Sequence, residues 1–387
     1  MTSDVVRSLP DAKQWMLMHL EQRRNPFNAI DAAAAAAQIE TLPGLAPEQW
    51  APHWLTRADE FAAAAETAER EGAPDAALES WWQAYQFAML GRYPTPLHPA
   101  KLAAYDRARS YFRRASALEK VPVEHFSVPF AGRAGEGDTV RFFLAKPDGV
   151  ENPPLVMMWG GIDVWKEESY ARGLMLRKSG FATLHLDKPG VGESPVLAGV
   201  DAERQWDPVF EWIKGRDDFD STRVAALGLS FGGYWAMKLA HTHRDQLRAA
   251  VNWGGGVHLT FQPEWQERSR NASSYLMDLM PARARIFGGS TLEDYVARCA
   301  ELSLLDQGIL DRESCPLLLT NGKDDQQNAS ADIYLALEYG SPKTARLFPG
   351  GHMGDGPVMP MIVGWLTEQL ALDRPGPAHA PYAHGRN

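Results

Sequence analysis

The chain has 387 residues, enough for one large α/β domain and a smaller companion. Its 45% hydrophobic content and 13 tryptophans exclude global disorder. A net charge of −10 speaks against a nucleic-acid groove, no run is apolar enough to span a bilayer, and Cys299 and Cys315 are too few for a disulfide framework. With no apolar signal core at the N-terminus, the sequence predicts a soluble, cytoplasmic protein without membrane or nucleic-acid partners.

Residues 1–120 are helical in character. Asp31 precedes six alanines and is placed to cap a helix from Ala32. A second Ala/Glu-rich helix over 58–71 stops at Gly72-Ala-Pro74, and Asp75 is placed to cap the next. That helix carries Leu78, Trp81, Trp82, Tyr85 and Met89 at i, i+3, i+4, i+7 spacing, a stripe read as core. A last helix spans about 99–118, with Leu102, Tyr105, Arg109 and Phe112 on one face. Arg107, Arg109, Arg113 and Arg114 read as its solvated side. No repeat period is sustained, so a solenoid is not expected. A helical domain of this kind commonly roofs a pocket or forms a dimer surface.

From Val121 the period changes. Segments 123–130 and 139–145 flank a Gly-rich turn and predict a β-hairpin. The apolar run 154–159 predicts a buried strand, followed by Gly160-Gly161 and a helix over 167–178. Strand 181–186 leads into the loop Asp187-Lys-Pro-Gly-Val-Gly-Glu-Ser194, where Asp187 reads as a turn former. A helix at 201–214, a strand ending near Leu227, a helix after Ser230 and a strand over 248–253 continue the alternation. Strands alternating with helices imply a mostly parallel sheet covered on both faces. Residues 257–313 interrupt this rhythm as an insertion on the sheet's C-terminal edge. Strands at 315–320 and 344–348 and helices at 328–339 and 358–371 complete a catalytic domain of 121–372. The Pro/Gly/His-rich segment 373–387 reads as a flexible tail.

The chemistry centres on Gly228-Leu-Ser-Phe-Gly232. A G-x-S-x-G between strand and helix is a nucleophile elbow, in which small neighbours allow a strained turn and the serine hydroxyl projects free of the sheet. Ser230 is the predicted nucleophile, and the backbone N–H of Phe231 one oxyanion donor. A serine needs a base, and the base an orienting acid, in the chain order Ser, acid, His. Strand 315–320 leads into Asn321-Gly-Lys-Asp324-Asp325, and strand 344–348 into Pro349-Gly-Gly-His352. His352 is the predicted base. Asp325 is the preferred acid, three positions beyond the loop glycine, with Asp324 the alternative. The second oxyanion donor is assigned to the backbone N–H of Gly161 or Ile162. Neither Gly160-Gly161 nor Gly190-Val-Gly192 makes a dinucleotide fingerprint. Asp163, His185, Asp187 and His258, like His379 and His384 in the tail, lack metal-ligand spacing. No cofactor and no metal are expected.

With these motifs in place, the chain resembles α/β-hydrolases of the group containing 2,6-dihydroxypseudooxynicotine hydrolase and the fungal polyketide-shortening hydrolases. Esterases of the fermentation/respiration switch type look like more distant relatives. The resemblance is carried by Trp159-Gly-Gly-Ile-Asp-Val-Trp-Lys-Glu-Glu-Ser169, Asp187-Lys-Pro-Gly-Val-Gly192, Gly228-Leu-Ser-Phe-Gly-Gly233, Asn252-Trp-Gly-Gly255 and Gly351-His352. Tyr93-Pro-Thr-Pro96 and Tyr111-Phe-Arg-Arg-Ala115 extend it to the helical part. It implies an α/β-hydrolase fold behind an all-helical N-terminal domain, a homodimer, and a bulky ketone or ester as the small-molecule carbonyl substrate. Cleavage is expected at a C–C bond next to a ketone or at an ester, with a carboxylesterase or thioesterase of the same fold as the alternative. Trp159 stands where many relatives carry His, and Glu264 is a poorly aligned counterpart of an acidic residue that positions substrate in part of the group. The rival reading from another class is a catalytically silent binding protein of the same fold.

Overall fold

A computed structural model describes residues 7–270, 275–341 and 343–371. The tail expectation, with His379 and His384, lies outside the described residues. Helices α1 (Leu9–Glu21), α2 (Ala32–Glu40), α3 (Pro47–Arg70), α4 (Pro74–Arg92) and α5 (Pro99–Ala117) come first. Asp31 caps α2, its carboxylate accepting the Ala34 N–H at 2.7 Å. Asp75 does not cap α4: Pro74 occupies the first helical position, so the cap falls on Ala73 and Asp75 sits inside the first turn. Helix α3 begins eleven residues before the predicted start at 58, running through Pro52 with Trp50 and Trp54 fully buried. Leu102 is exposed, in contrast to the face predicted for it.

Strands β1 (Glu124–Pro129), β2 (Thr139–Ala145) and β3 (Pro154–Trp159) are followed by α6 (Lys166–Arg172) and α7 (Leu174–Lys178). The single helix predicted there is broken at Gly173, which lies against the imidazole of His185. The chain continues through β4 (Ala182–Leu186), α8 (Asp207–Lys214), β5 (Asp220–Leu229), α9 (Phe231–Thr242) and β6 (Ala249–Trp253). Helices α10 (Pro263–Ser269), α11 (Leu279–Arg285) and α12 (Leu292–Cys299) occupy the interruption, before β7 (Leu317–Gly322), α13 (Ala331–Leu337), β8 (Lys343–Phe348) and α14 (Val358–Gln369).

The eight strands form one sheet in the order β1-β2-β4-β3-β5-β6-β7-β8. The β1/β2 and β2/β4 pairs are antiparallel, and every pair from β4 to β8 is parallel. Both faces are buried, as the apolar runs require. In β3, Leu155, Met157 and Trp159 join one core, whereas Val156 and Met158 join a second with Leu176, Ile362 and Leu366 of α7 and α14. This is the α/β-hydrolase fold. Parallel strands put the ends of β3, β5, β7 and β8 on one edge, where the loops carrying Gly161, Ser230, Asp325 and His352 meet.

The helical segment shares the first core with the sheet. Trp82 of α4 stacks on Tyr170 of α6 with centroids 5.2 Å apart, and Phe112 of α5 meets Phe143 of β2 at 5.0 Å. Part of the aromatic stripe of α4 is therefore the joint between helices and sheet. Three of the four arginines in the α5 cluster are paired: Arg107 with Asp59, Arg114 with Glu69, and Arg109 with Glu193 at 2.5 Å. Losing one buried Phe or Trp side chain costs about 3–5 kcal/mol, against a whole-domain stability of about 5–15 kcal/mol. A truncation starting at Pro122 loses several such contacts at once and is expected to give no soluble, folded protein by size-exclusion chromatography and circular dichroism. A soluble, fully active truncation would refute that joint.

Candidate active site

The elbow is built by close packing at two glycines. A Cβ on Gly228 would collide with the carbonyl of Gly232, and one on Gly232 would reach 2.5 Å from the carbonyl oxygen of Gly160. Ser230 adopts φ 54°, ψ −126°, a left-handed conformation that non-glycine residues rarely take. Its N–H donates to the Trp253 carbonyl at 2.7 Å and its carbonyl accepts from Gly233 N–H at 2.7 Å, so strand β6 and the first turn of α9 hold the strain. Trp159 is fully buried and its Nε1–H donates to the Gly232 carbonyl at 2.7 Å. The Trp159 indole thus braces the turn that carries Ser230.

Ser230 Oγ lies 2.7 Å from His352 Nε2, and His352 Nδ1 lies 2.8 Å from Asp325 Oδ2. The Asp325 side chain has 0% exposure and that of His352 13%. Four donors converge on Asp325. His352 and Asn321 Nδ2 donate to Oδ2, and the N–H groups of Gln327 (2.8 Å) and Asn328 (3.2 Å) donate to Oδ1. Burial alone would raise the pKa of this carboxyl, but the imidazole and these donors outweigh it and hold it below the usual aspartate range. An ionised Asp325 fixes the proton on Nδ1 and leaves Nε2 free to accept from the serine. Asp324, one residue away, is exposed, and its backbone N–H donates to the Gly350 carbonyl at 3.0 Å.

Gly161 lies directly against Ser230. A Cβ there would sit 3.0 Å from Ser230 Cβ, 3.2 Å from its Oγ and 3.6 Å from Asp163 Oδ1. Ile162 is half-buried on the same loop, and Phe231 begins α9 with its ring stacked on Tyr234, centroids 5.8 Å apart. The predicted residues are therefore brought to one place. Glu264 is exposed on α10. Among the described residues no group of three or more His, Cys, Asp or Glu could hold a metal ion, and no helix is long and apolar enough to cross a membrane. A cavity of about 670 Å³ between α4, residues 25–29 and α6–α7 is lined by neither Ser230 nor His352. The candidate site rests on the Ser230–His352–Asp325 hydrogen bonds and lies apart from that cavity.

Several supporting residues escaped the sequence reading. Asn321 joins the two loops, its Oδ1 accepting the Met353 N–H (2.9 Å) while Nδ2 holds Asp325. Trp253 Nε1 donates to the Met353 carbonyl at 2.7 Å. Buried Asp332 accepts the N–H groups of residues 257–260 at 2.7–3.1 Å and fixes the start of the insertion. Asp187 is more than a turn former. It accepts from the N–H groups of Lys166 (2.8 Å) and Glu193 (2.9 Å) and pairs with Lys166 Nζ at 3.1 Å. The Lys-Glu-Glu run that marked the resemblance is this network, with Tyr105 of α5 donating to Glu167 at 3.1 Å.

The signature of the family described as "Esterase FrsA-like" matches residues 31–340. The chain belongs to the FrsA-like esterase family. Esterase FrsA of Photobacterium profundum is 25% identical over 342 residues, covering 86% of this chain and 79% of that one. The 2,6-dihydropseudooxynicotine hydrolase of Paenarthrobacter nicotinovorans is 25% identical over 283 residues, covering 72% and 71%. The crystal structure of 2,6-dihydroxy-pseudo-oxynicotine hydrolase superposes with a TM-score of 0.75 at 21% identity, covering 92% of this chain and 96% of that one. That superposition extends through the N-terminal helices as well as the sheet. As a FrsA-like esterase of the α/β-hydrolase fold, the protein is an enzyme.

Proposed function

We propose that this enzyme is a serine hydrolase acting through an acyl-enzyme on a bulky aromatic or polyketide-like carbonyl compound. The observation that carries this is the unbroken line from Ser230 Oγ through His352 to Asp325, launched from a strained elbow. His352 Nε2 takes the serine proton as Oγ attacks the carbonyl carbon. Negative charge develops on the carbonyl oxygen, which the N–H groups of Phe231 and of Gly161 or Ile162 stabilise. Collapse expels the leaving group, which takes the proton from His352, and water activated by the same imidazole releases the acyl group.

Two bonds suit this machinery. Cleavage of a C–C bond next to a ketone expels a carbanion, which needs an electron sink in the substrate and a proton from His352. The relationship to the 2,6-dihydropseudooxynicotine hydrolase supports this reading. Ester cleavage is the second reading, favoured by the family's description. Matched substrates decide between them: an aryl ester and a β-diketone of similar size, compared by kcat/KM. Turnover of the diketone is the expected result. An ester turned over well beside an untouched diketone would make the protein a plain esterase.

A further inference from the structure

The loop bearing Gly161 and Ile162 is anchored by a residue of the helical segment. Arg92, the last residue of α4, has a side chain with 0% exposure. Its Nη1 donates to the Asp163 carbonyl at 2.8 Å and to the Pro94 carbonyl at 2.6 Å, and its Nη2 pairs with Glu168. Glu168 in turn accepts the Trp165 N–H at 2.8 Å, and the guanidinium lies 4.9 Å over the Trp165 ring. The next carbonyl along, that of Val164, accepts from buried Lys188 Nζ at 2.9 Å, and the Val164 N–H closes a turn onto the Gly161 carbonyl at 3.3 Å. Both ends of the turn are therefore tied, and the buried side chains of Arg92 and Lys188 hold its outgoing carbonyls. The Gly161 and Ile162 amides are left little freedom to swing away from Ser230.

We infer that Arg92 is a positioning residue for the oxyanion loop, so that the N-terminal helices complete the reaction centre rather than only covering it. The inference rests on the proposed nucleophilic role of Ser230. Its physical basis is that oxyanion donors act through preorganisation: a donor that must be pulled into place in the transition state loses most of its effect. Arginine suits the position because its planar fork reaches two carbonyls and a carboxylate on separate segments at once. A lysine ammonium keeps the charge but is a single point on a flexible stem.

The test uses the full chain, an alkyl fluorophosphonate and a trifluoromethyl ketone, because both place negative oxygen where the oxyanion forms. Arg92→Lys is expected to slow phosphonylation of Ser230 by roughly 10- to 100-fold and to weaken the ketone in proportion, while KM changes much less than kcat. Tyr105→Phe is the control. It removes the Tyr105–Glu167 hydrogen bond at the same helix–core joint, and should lower thermal stability while leaving labelling unchanged. Should Arg92→Lys fail to fold, Arg92→Gln, which keeps an amide donor, should slow labelling in the same direction. A folded Arg92 variant labelled as fast as Tyr105→Phe removes this inference alone. A wild-type chain not labelled at Ser230 removes the nucleophile reading, and this inference with it.

Discussion

Replacing Ser230 by alanine is expected to lower kcat by on the order of 10⁶ while leaving the fold intact. Only a hydroxyl is lost, and its partner is Nε2 of the half-buried His352. The backbone strain at φ 54° remains, because it is imposed by the Trp253 and Gly233 hydrogen bonds and not by the side chain. Circular dichroism and thermal unfolding should match the wild type. Substrate affinity should persist as well, since the proposed oxyanion donors are backbone N–H groups that the substitution leaves in place. A Ser230→Ala variant with more than a trace of turnover would contradict the assignment.

The second large effect concerns the acid. Asp325→Asn keeps the shape of the side chain but offers an amide in place of an anion to four donors, two of them backbone N–H groups. In the Ser-His-Asp template the same change leaves the imidazole in the wrong tautomer and costs about 10⁴ in kcat. Asp324→Asn, on the exposed neighbour, should leave kcat within the wild-type range. Stability should separate the two as well. The folded-state pKa of Asp325 is depressed, so its contribution is present above the ordinary aspartate pKa and is lost as pH falls through the lowered value. Asp325→Asn should remove that part of the acid dependence, read by urea unfolding as a function of pH, and Asp324→Asn should not. Equal or reversed losses of kcat would move the acid to Asp324.

What could be read from the sequence followed from local patterns. The elbow declares itself because strand, tight turn and helix are contiguous, and because Gly228 is demanded by its contact with the Gly232 carbonyl within the same turn, although Gly232 itself is demanded by the distant Trp159–Gly160 segment. Strand β3 is an unbroken apolar run because both its faces are buried. Asp325 and His352 could be placed because each follows a parallel strand, so chain order alone puts them on the same edge. Residues whose meaning depends on distant partners were silent. Arg92 meets Asp163 across 71 positions, and nothing within its own helix distinguishes it from a surface arginine. Asn321 looked like an ordinary loop residue until its two neighbours in space, Asp325 and Met353, were known. Helix breaks were hidden for a related reason: the division at Gly173 reflects close approach to His185 on a separate strand.

The central claim is that Ser230 attacks the substrate carbonyl, and intact-protein mass spectrometry after exposure to a fluorophosphonate tests it most directly. The wild-type chain should gain the mass of one phosphonyl group, mapped by peptide sequencing to Ser230, and Ser230→Ala should gain none. Labelling that persists in Ser230→Ala, or a wild-type protein that is never labelled, would contradict the account.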